Sequence, residues 1–327
     1  MEQKFTKITD KNEWQGFLDK VLFKTFFHNI EWEEFLESQF KWLRFERYLY
    51  KDEALLSLAR AKNKLISHPF CEYGGPLPLI ETVDGVNFQK DLFGEFKIPF
   101  KISFHPKLLD YFKGIEFSEN QRETYLFEDI NSKTEQDLWQ SMDRNRHRAI
   151  KEAQDRGFKF KKCENLDALK KLYGFYVQNL KKHRAIPYPF SFFKFFFSSP
   201  EAEVMMVDGG GAVGGNIFLF CDKAVHSFLC GFDNIAKAES AHSLVLWEEI
   251  KMAKERGYST FDFGAARRES SIGDFKKRWG AKPYPIYELK NYSGESSLRQ
   301  SKLRIIFGLL PPFLIKKISP YLLKYKL

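Results

Sequence analysis

A chain of 327 residues with 43% hydrophobic and 29% charged residues has enough apolar material to bury a core, which excludes wholesale disorder and collagen-like structure. The length suits two domains better than one. The net charge of +9 does not mark a general nucleic-acid binder: residues 298–327 hold seven cations and no carboxylate, and removing those seven leaves +2 over the first 297 residues.

The opening stretch, MEQKFTKITDKNEW, is charged throughout and has no apolar run of the secretory kind, so neither a signal nor an anchor is expected there. An aromatic-rich, helical segment from Trp14 to Phe40 precedes a hairpin, with strands at Trp42–Tyr50 and Ala54–Ala61 joined by a turn at Lys51–Glu53. A long helix is expected from near Ser132 through Leu138, Met142, Ala149 and Ala153 to a stop at Gly157, followed by a strand, FKFKKC. A second aromatic-rich helical segment, Leu166–Phe197, precedes a second hairpin, with strands at Glu203–Val207 and Ala212–Phe220 and a turn at Asp208–Gly211. The next helix starts near Ser240 or Ser243, carries Leu246, Ile250 and Ala253 on one face, stops at Gly257, and leads into the strand TFDFG. The repeated order implies an α/β chain of two similar mixed-sheet halves, residues 1–131 and 132–292, joined by the long helix and followed by a basic amphipathic tail at 293–327.

Gly209, Gly211 and Gly214 match G-x-G-x-x-G, but the β-rich AVGGNIFLF follows where a dinucleotide fold needs a helix, so the glycines read as a hairpin turn and no nicotinamide cofactor is implied. Seven scattered histidines lack metal-ligand spacing, Cys71, Cys163, Cys221 and Cys230 form no C-x-x-C pair, and no G-x-S-x-G elbow is present. Asp143–Lys162 holds eight cations against three carboxylates. On a helix Arg144, Arg148 and Lys151 share one face, which suits either phosphate clamping or simple solvation. Phe261–Ala281 runs from a strand into a basic loop, gathering Asp262, Arg267, Arg268 and Lys276.

Three of these pieces, HPFCEYGGPL (His68–Leu77), RHRAIKEAQDRGF (Arg146–Phe158) and FDFG followed by DFKKRWGA, together resemble the signatures of FemAB-type transferases. That family contains peptidoglycan interpeptide-bridge aminoacyltransferases and related proteins of polysaccharide-synthesis systems. The resemblance covers roughly Phe27 to Leu289. It implies two GNAT-like mixed-sheet subdomains with a central cleft, and acyl transfer to an amine with no metal and no tightly bound cofactor. The donor is then a co-substrate, aminoacyl-tRNA or acyl-CoA. The resemblance makes Lys276 the stabiliser of the tetrahedral oxyanion. Relatives commonly read Asp-Phe-Gly-Arg-Ser where this chain has Ala265 and Ala266, with Arg267 and Arg268 two residues onward, and Glu72 stands where an Asp is common.

Direct attack of an amine on an ester or thioester needs positive charge where the oxyanion develops, which a fixed ammonium supplies. The candidate catalytic residues are therefore Lys276 and, as proton acceptor, Asp262, with Glu72 as the other carboxylate in view. Candidate substrate contacts are Glu72, Tyr73, Arg146, Arg148, Lys151, Arg267, Arg268 and Trp279. The tail interleaves seven cations with Leu, Ile, Phe and Tyr, which suits an anionic membrane surface and equally a helix packed on the protein's own body. The expected function is transfer of an aminoacyl or acyl group onto an amine of a cell-envelope precursor, lipid-linked or free. The expected location is the cytoplasm, peripheral at the inner face of the membrane. The rivals are an acyl-CoA-dependent N-acyltransferase acting on an amino sugar, a non-catalytic membrane-associated scaffold, and an RNA-binding module using Asp143–Lys162.

Overall fold

The computed structural model describes residues 4–209, 212–233, 238–292 and 310–325. The chain divides into two compact units, Met1–Thr124 with Tyr284–Gly294, and Tyr125–Pro283 with Glu295–Leu327.

In the first unit, strands β1 (Phe5–Ile8), β2 (Leu43–Tyr50), β3 (Ala54–Ala61), β4 (Lys64–Ile66) and β7 (Phe100–Phe104) lie side by side in that order, with β5 (Leu77–Pro78) on β3. β6 (Val83–Asp84) and β8 (Phe112–Lys113) form a small parallel pair. The β2–β3 hairpin closes because Lys51 and Asp52 both take left-handed backbone (φ 46° and 57°) and Glu53 N–H returns to the Tyr50 carbonyl at 2.8 Å. Trp14–Phe40 is not continuously helical: α1 (Lys11–Leu18) and α2 (Ile30–Gln39) are separated by a single 3₁₀ turn at Phe26–His28. β4 and β7 run parallel, joined through α3 (Gly85–Glu95), and Phe88, Phe100 and Phe104 are fully buried in this unit's core.

The second unit repeats this plan. Its strands are β9 (Ser118–Glu128), β14 (Thr260–Arg267), β13 (Ala224–Phe232), β12 (Ala212–Cys221), β11 (Ala202–Asp208) and β10 (Lys159–Lys162), adjacent in that order. The antiparallel hairpin β11–β12 follows α6 (Leu166–Lys182) and α7 (Phe190–Ser198), and β13 and β14 are parallel, joined through α8 (Ala238–Glu255). Strand pairing across Gly209–Gly214 agrees with a hairpin, although Gly210 and Gly211 lie outside the described residues. The chain reaches β9 at the end of the first unit, and after α9 (Ser271–Lys277) it leaves through β15 (Lys282–Lys290), which pairs antiparallel with β7 of the first unit. Residues 284–292 therefore belong to the first unit, and the second begins at Tyr125, which differs from the division expected at 131/132.

The helix expected from Ser132 to Gly157 is broken in two, α4 (Glu135–Gln140) and α5 (Arg144–Asp155). Asp143 starts the second piece by accepting the Asn145 N–H, and its own N–H is held by the Arg278 carbonyl at 2.8 Å, so the break is a tether to the segment after α9. The final described helix, α10 (Pro312–Leu322), packs on α6, with Ile315 buried and Lys316 Nζ 5.3 Å above the Tyr173 ring. Phe313 and Tyr321 on its other side are exposed. Residues 293–309, the first half of the expected tail, lie outside the described residues. No described helix is long and apolar enough to cross a membrane.

Candidate active site

β13 and β14 pair only over Ala224–His226 and Thr260–Asp262. Among the described residues they carry no further pairing to each other, although β13 continues to Phe232 and β14 to Arg267. The end of β14 beyond its last pair with β13 is shaped by its own sequence. Gly264 has φ +72°, a conformation that glycine takes without strain, and the Asp262 carboxylate accepts the Gly264 N–H at 2.8 Å. This turn leaves the Gly264 and Ala265 carbonyls to the Lys276 ammonium, which donates to them at 2.9 and 3.2 Å. Because carbonyls do the holding, the alanines at 265 and 266 remove nothing that Lys276 needs.

Lys276 arrives on α9, whose first turn is capped by Ser270 accepting from Gly273 N–H. Its ammonium lies 5.6 Å above the ring of Tyr125, a fully buried residue of β9. α9 can approach that ring only because position 273 is glycine: a Cβ there would sit 3.0 Å from Tyr125 Cζ and closer still to its hydroxyl. Phe275, beside Lys276, is stacked by His242 at 5.2 Å and covered by the Arg146 guanidinium at 4.8 Å. Burial, reinforced by the charges of Arg146 and Lys276, lowers the pKa of His242 to about 3, so a neutral ring packs there.

These contacts change the roles expected of several residues. Arg146, expected as a substrate contact, is completely buried, donating to Ser243 Oγ at 3.0 Å and to the Glu239 carboxylate, so it braces α5 against α8 and Phe275. Arg148 and Lys151 are exposed and line an open depression of about 510 Å³ along α5 together with Arg144, His147, Glu152, Asp155 and Arg156. Two further cations of the basic stripe are consumed on the sheet, Lys161 by Asp208 and Lys162 by Glu203. Trp279 is fully buried in the core beside Phe263, which leaves it no surface to offer a substrate. Asp262 is buried and committed to its turn, which makes it a shaper of the strand end. Arg267 is exposed and Arg268 half-buried at the start of the loop leading to α9.

Glu72 and Tyr73 belong to the first unit. Tyr73 is buried, its hydroxyl 3.1 Å from Thr124 Oγ1 and its ring edge-on to His105, so it too is a packing residue; Glu72 is half-buried. Their loop is tightly wound. His68 and Phe70 both have positive φ, 38° and 71°, and the His68 ring lies so close to Gly74 that a Cβ there would collide with it, which explains the Tyr-Gly-Gly of the motif. Tyr125, Gly273 and His242 escaped the sequence reading because each acts through a partner distant in the chain. Among the described residues, no cluster of three or more His, Cys, Asp or Glu could hold a metal ion.

Comparison with known proteins bears on the fold. Residues 140–277, from the end of α4 to Lys277, match the acetyltransferase (GNAT) domain family. No curated protein matches the sequence. Among solved structures the chain is similar to FemX (13% identity, 92% of this chain and 100% of that one, TM-score 0.61). It is also similar to a conserved protein of unknown function from Bacteroides thetaiotaomicron (11% identity, 88% and 99%, TM-score 0.59). L-PGS from Bacillus licheniformis matches as well (12% identity, 92% and 98%, TM-score 0.57). At these identities the likeness is one of fold. The second unit is thus built around a GNAT domain, and the protein is an acyltransferase. Over the whole chain the fold is similar to that of FemX.

Proposed function

We propose that the protein moves an aminoacyl or acyl group onto an amine of a cell-envelope precursor, with Lys276 stabilising the oxyanion. A neutral amine attacks the carbonyl carbon of an ester or thioester, a C–N bond forms, and the carbonyl oxygen takes up negative charge. The C–O or C–S bond then breaks, and the amine's surplus proton leaves with the departing group or to solvent. The observation that carries the reading is the Lys276 ammonium, held in place by the Gly264 and Ala265 carbonyls where β14 has run past its last pair with β13. A cation fixed before reaction spends no reorganisation energy when the oxyanion forms. Aminoacyl-tRNA and acyl-CoA both present such a carbonyl. Incubation of the protein with each donor class and with amino-sugar or peptide amines, read by mass spectrometry of the products, separates the two. Absence of transfer from either donor to any amine acceptor favours the scaffold reading.

The chain's last helix supports work at the inner, anionic face of the membrane. On α10, Phe313, Lys317 and Tyr321 recur at i, i+4 and i+8 and are exposed, and Lys324, in the turn that follows, is exposed as well. Exposed aromatics among lysines suit a lipid headgroup layer, where each cation contributes about 1 kcal/mol. Such placement would bring a lipid-linked acceptor within reach.

A further inference from the structure

Beside the stretch of β13 that lies beyond its last pair with β14, one buried group lacks a partner. Asn216 of β12 is 1% exposed, and its amide nitrogen donates to Ser227 Oγ at 2.9 Å, but its carboxamide oxygen has no hydrogen-bond partner among the described residues. Turning the amide over moves the deficit to the other atom without removing it. An unmet polar atom in a native interior calls for an explanation. In the β12–β13 ladder Asn216 stands directly opposite Cys230, so the two side chains leave the same face of the sheet.

Cys230 is exposed, flanked by buried Leu229 and Gly231, and it lies beyond the last β13–β14 pair, His226 with Asp262. The strand has just been re-aimed, since the β12–β13 register slips between Ile217 and Phe218. Solvent reaches part of the residue, yet enough protein surrounds the thiol for burial to raise its pKa to about 11, with the Lys276 charge pulling the other way. Two residues further along β13, Phe232 packs on His242 at 4.7 Å, and His242 stacks at 5.2 Å on Phe275, the neighbour of Lys276, so the strand carrying Cys230 leads to the Lys276 site, with the unmet carboxamide opposite the thiol.

We infer that Asn216 and Cys230 form the subsite for the group being transferred, in which the Asn216 carboxamide hydrogen-bonds an N–H or O–H on the carbon beside the reacting carbonyl. The inference rests on the acyl-transfer reading and adds a selection rule to it: acyl groups with a polar α-substituent are taken in preference to hydrocarbon isosteres. A site built to hydrogen-bond its substrate rejects an analogue that leaves the site's own polar group unmet. Lys276 disfavours a second cation nearby, so an α-amino group binds here as the neutral amine.

Three thioesters of N-acetylcysteamine test this, since their alanyl, lactyl and isobutyryl groups are close in size and differ in carrying NH₂, OH or CH₃. Binding is read without turnover, by calorimetry and by protection of the Cys230 peptide from iodoacetamide. The alanyl and lactyl compounds should bind about tenfold or more tightly than the isobutyryl compound and protect Cys230. Asn216→Leu should abolish the preference, and Asn216→Ser serves if the leucine variant does not fold. Equal binding of all three by the unaltered protein, binding without protection of Cys230, or no binding at all overturns the subsite. Selective binding by a protein that transfers nothing to any amine would retain the subsite and refute the acyl-transfer reading, whereas transfer without selection would refute the subsite alone.

Discussion

Glu249 offers a thermodynamic test of the second unit's core. It lies on α8 with no exposed surface, and neither carboxyl oxygen has a hydrogen-bond partner among the described residues. The cations nearest in effect, Arg256 and Lys162, are already paired with Glu203, at 3.1 and 3.2 Å. Burial, reinforced by the charge of Glu203, raises the Glu249 pKa from 4.5 to about 8. A carboxyl with a raised folded-state pKa keeps its proton in the folded protein while the unfolded chain has lost it. Its contribution is therefore constant below pH 4.5 and is lost as pH rises towards 8. At about 1.4 kcal/mol per pH unit, the loss between pH 5 and pH 8 is about 3 to 4 kcal/mol. Glu249→Gln keeps the shape and does not titrate, so it should match the unaltered protein near pH 5 and exceed its stability by about that amount at pH 8. Taking the difference between the two proteins removes the contributions of Glu33, raised to about 7 by burial, and of His28, lowered to about 4. Hydrogen exchange of the α8 peptides across this pH range reads the opening of this unit. A stability difference that stays flat from pH 5 to pH 8 would refute the neutral, buried Glu249.

Gly273→Ala should cut transfer by more than tenfold with little change in melting temperature, because the new methyl pushes α9 off Tyr125. Adding Tyr125→Phe should restore part of the loss, and a fully active single variant would remove the α9–Tyr125 contact from the account. Arg146→Met should cost about 2 kcal/mol of stability through lost hydrogen bonds and the Phe275 contact, whereas Arg148→Ala should stay within about 0.5 kcal/mol; equal effects in urea denaturation would deny Arg146 its bracing role. Phe313→Ser with Tyr321→Ser should weaken co-sedimentation with anionic vesicles at low salt while leaving the fold unchanged, and Ile315→Ser should instead lower the melting temperature. Unchanged sedimentation of the double variant would count against a membrane role for α10.

What could be read from the sequence was local. Both hairpins declare themselves through strands separated by turn residues, and the stops at Gly157 and Gly257 hold because both glycines take positive φ. The Asp-Phe-Gly strand end was visible for the same reason, since Asp262 and Gly264 make their turn with each other. The break in the 132–157 helix was not visible, because the Arg278 carbonyl that anchors Asp143 is supplied from far along the chain. Arg146 looks like its neighbours Arg144 and Arg148 in a charge count, and only packing against Ser243 and Phe275 separates it from them. Trp279 and Tyr73 stand beside motifs in the sequence as substrate contacts would, yet both are buried as the motifs' packing support. The crossing of β15 into the first unit is a matter of pairing partners, Leu289 opposite Ile102, which no local pattern encodes.

The most direct test of the central claim is a single-turnover measurement of transfer by Lys276→Ala and Lys276→Met, with donor binding and circular dichroism recorded on the same proteins. Loss of the fixed ammonium should slow the chemical step by about 10²- to 10³-fold, with donor affinity and fold preserved. A variant that transfers at close to the unaltered rate would contradict the assignment of Lys276 as the oxyanion's partner.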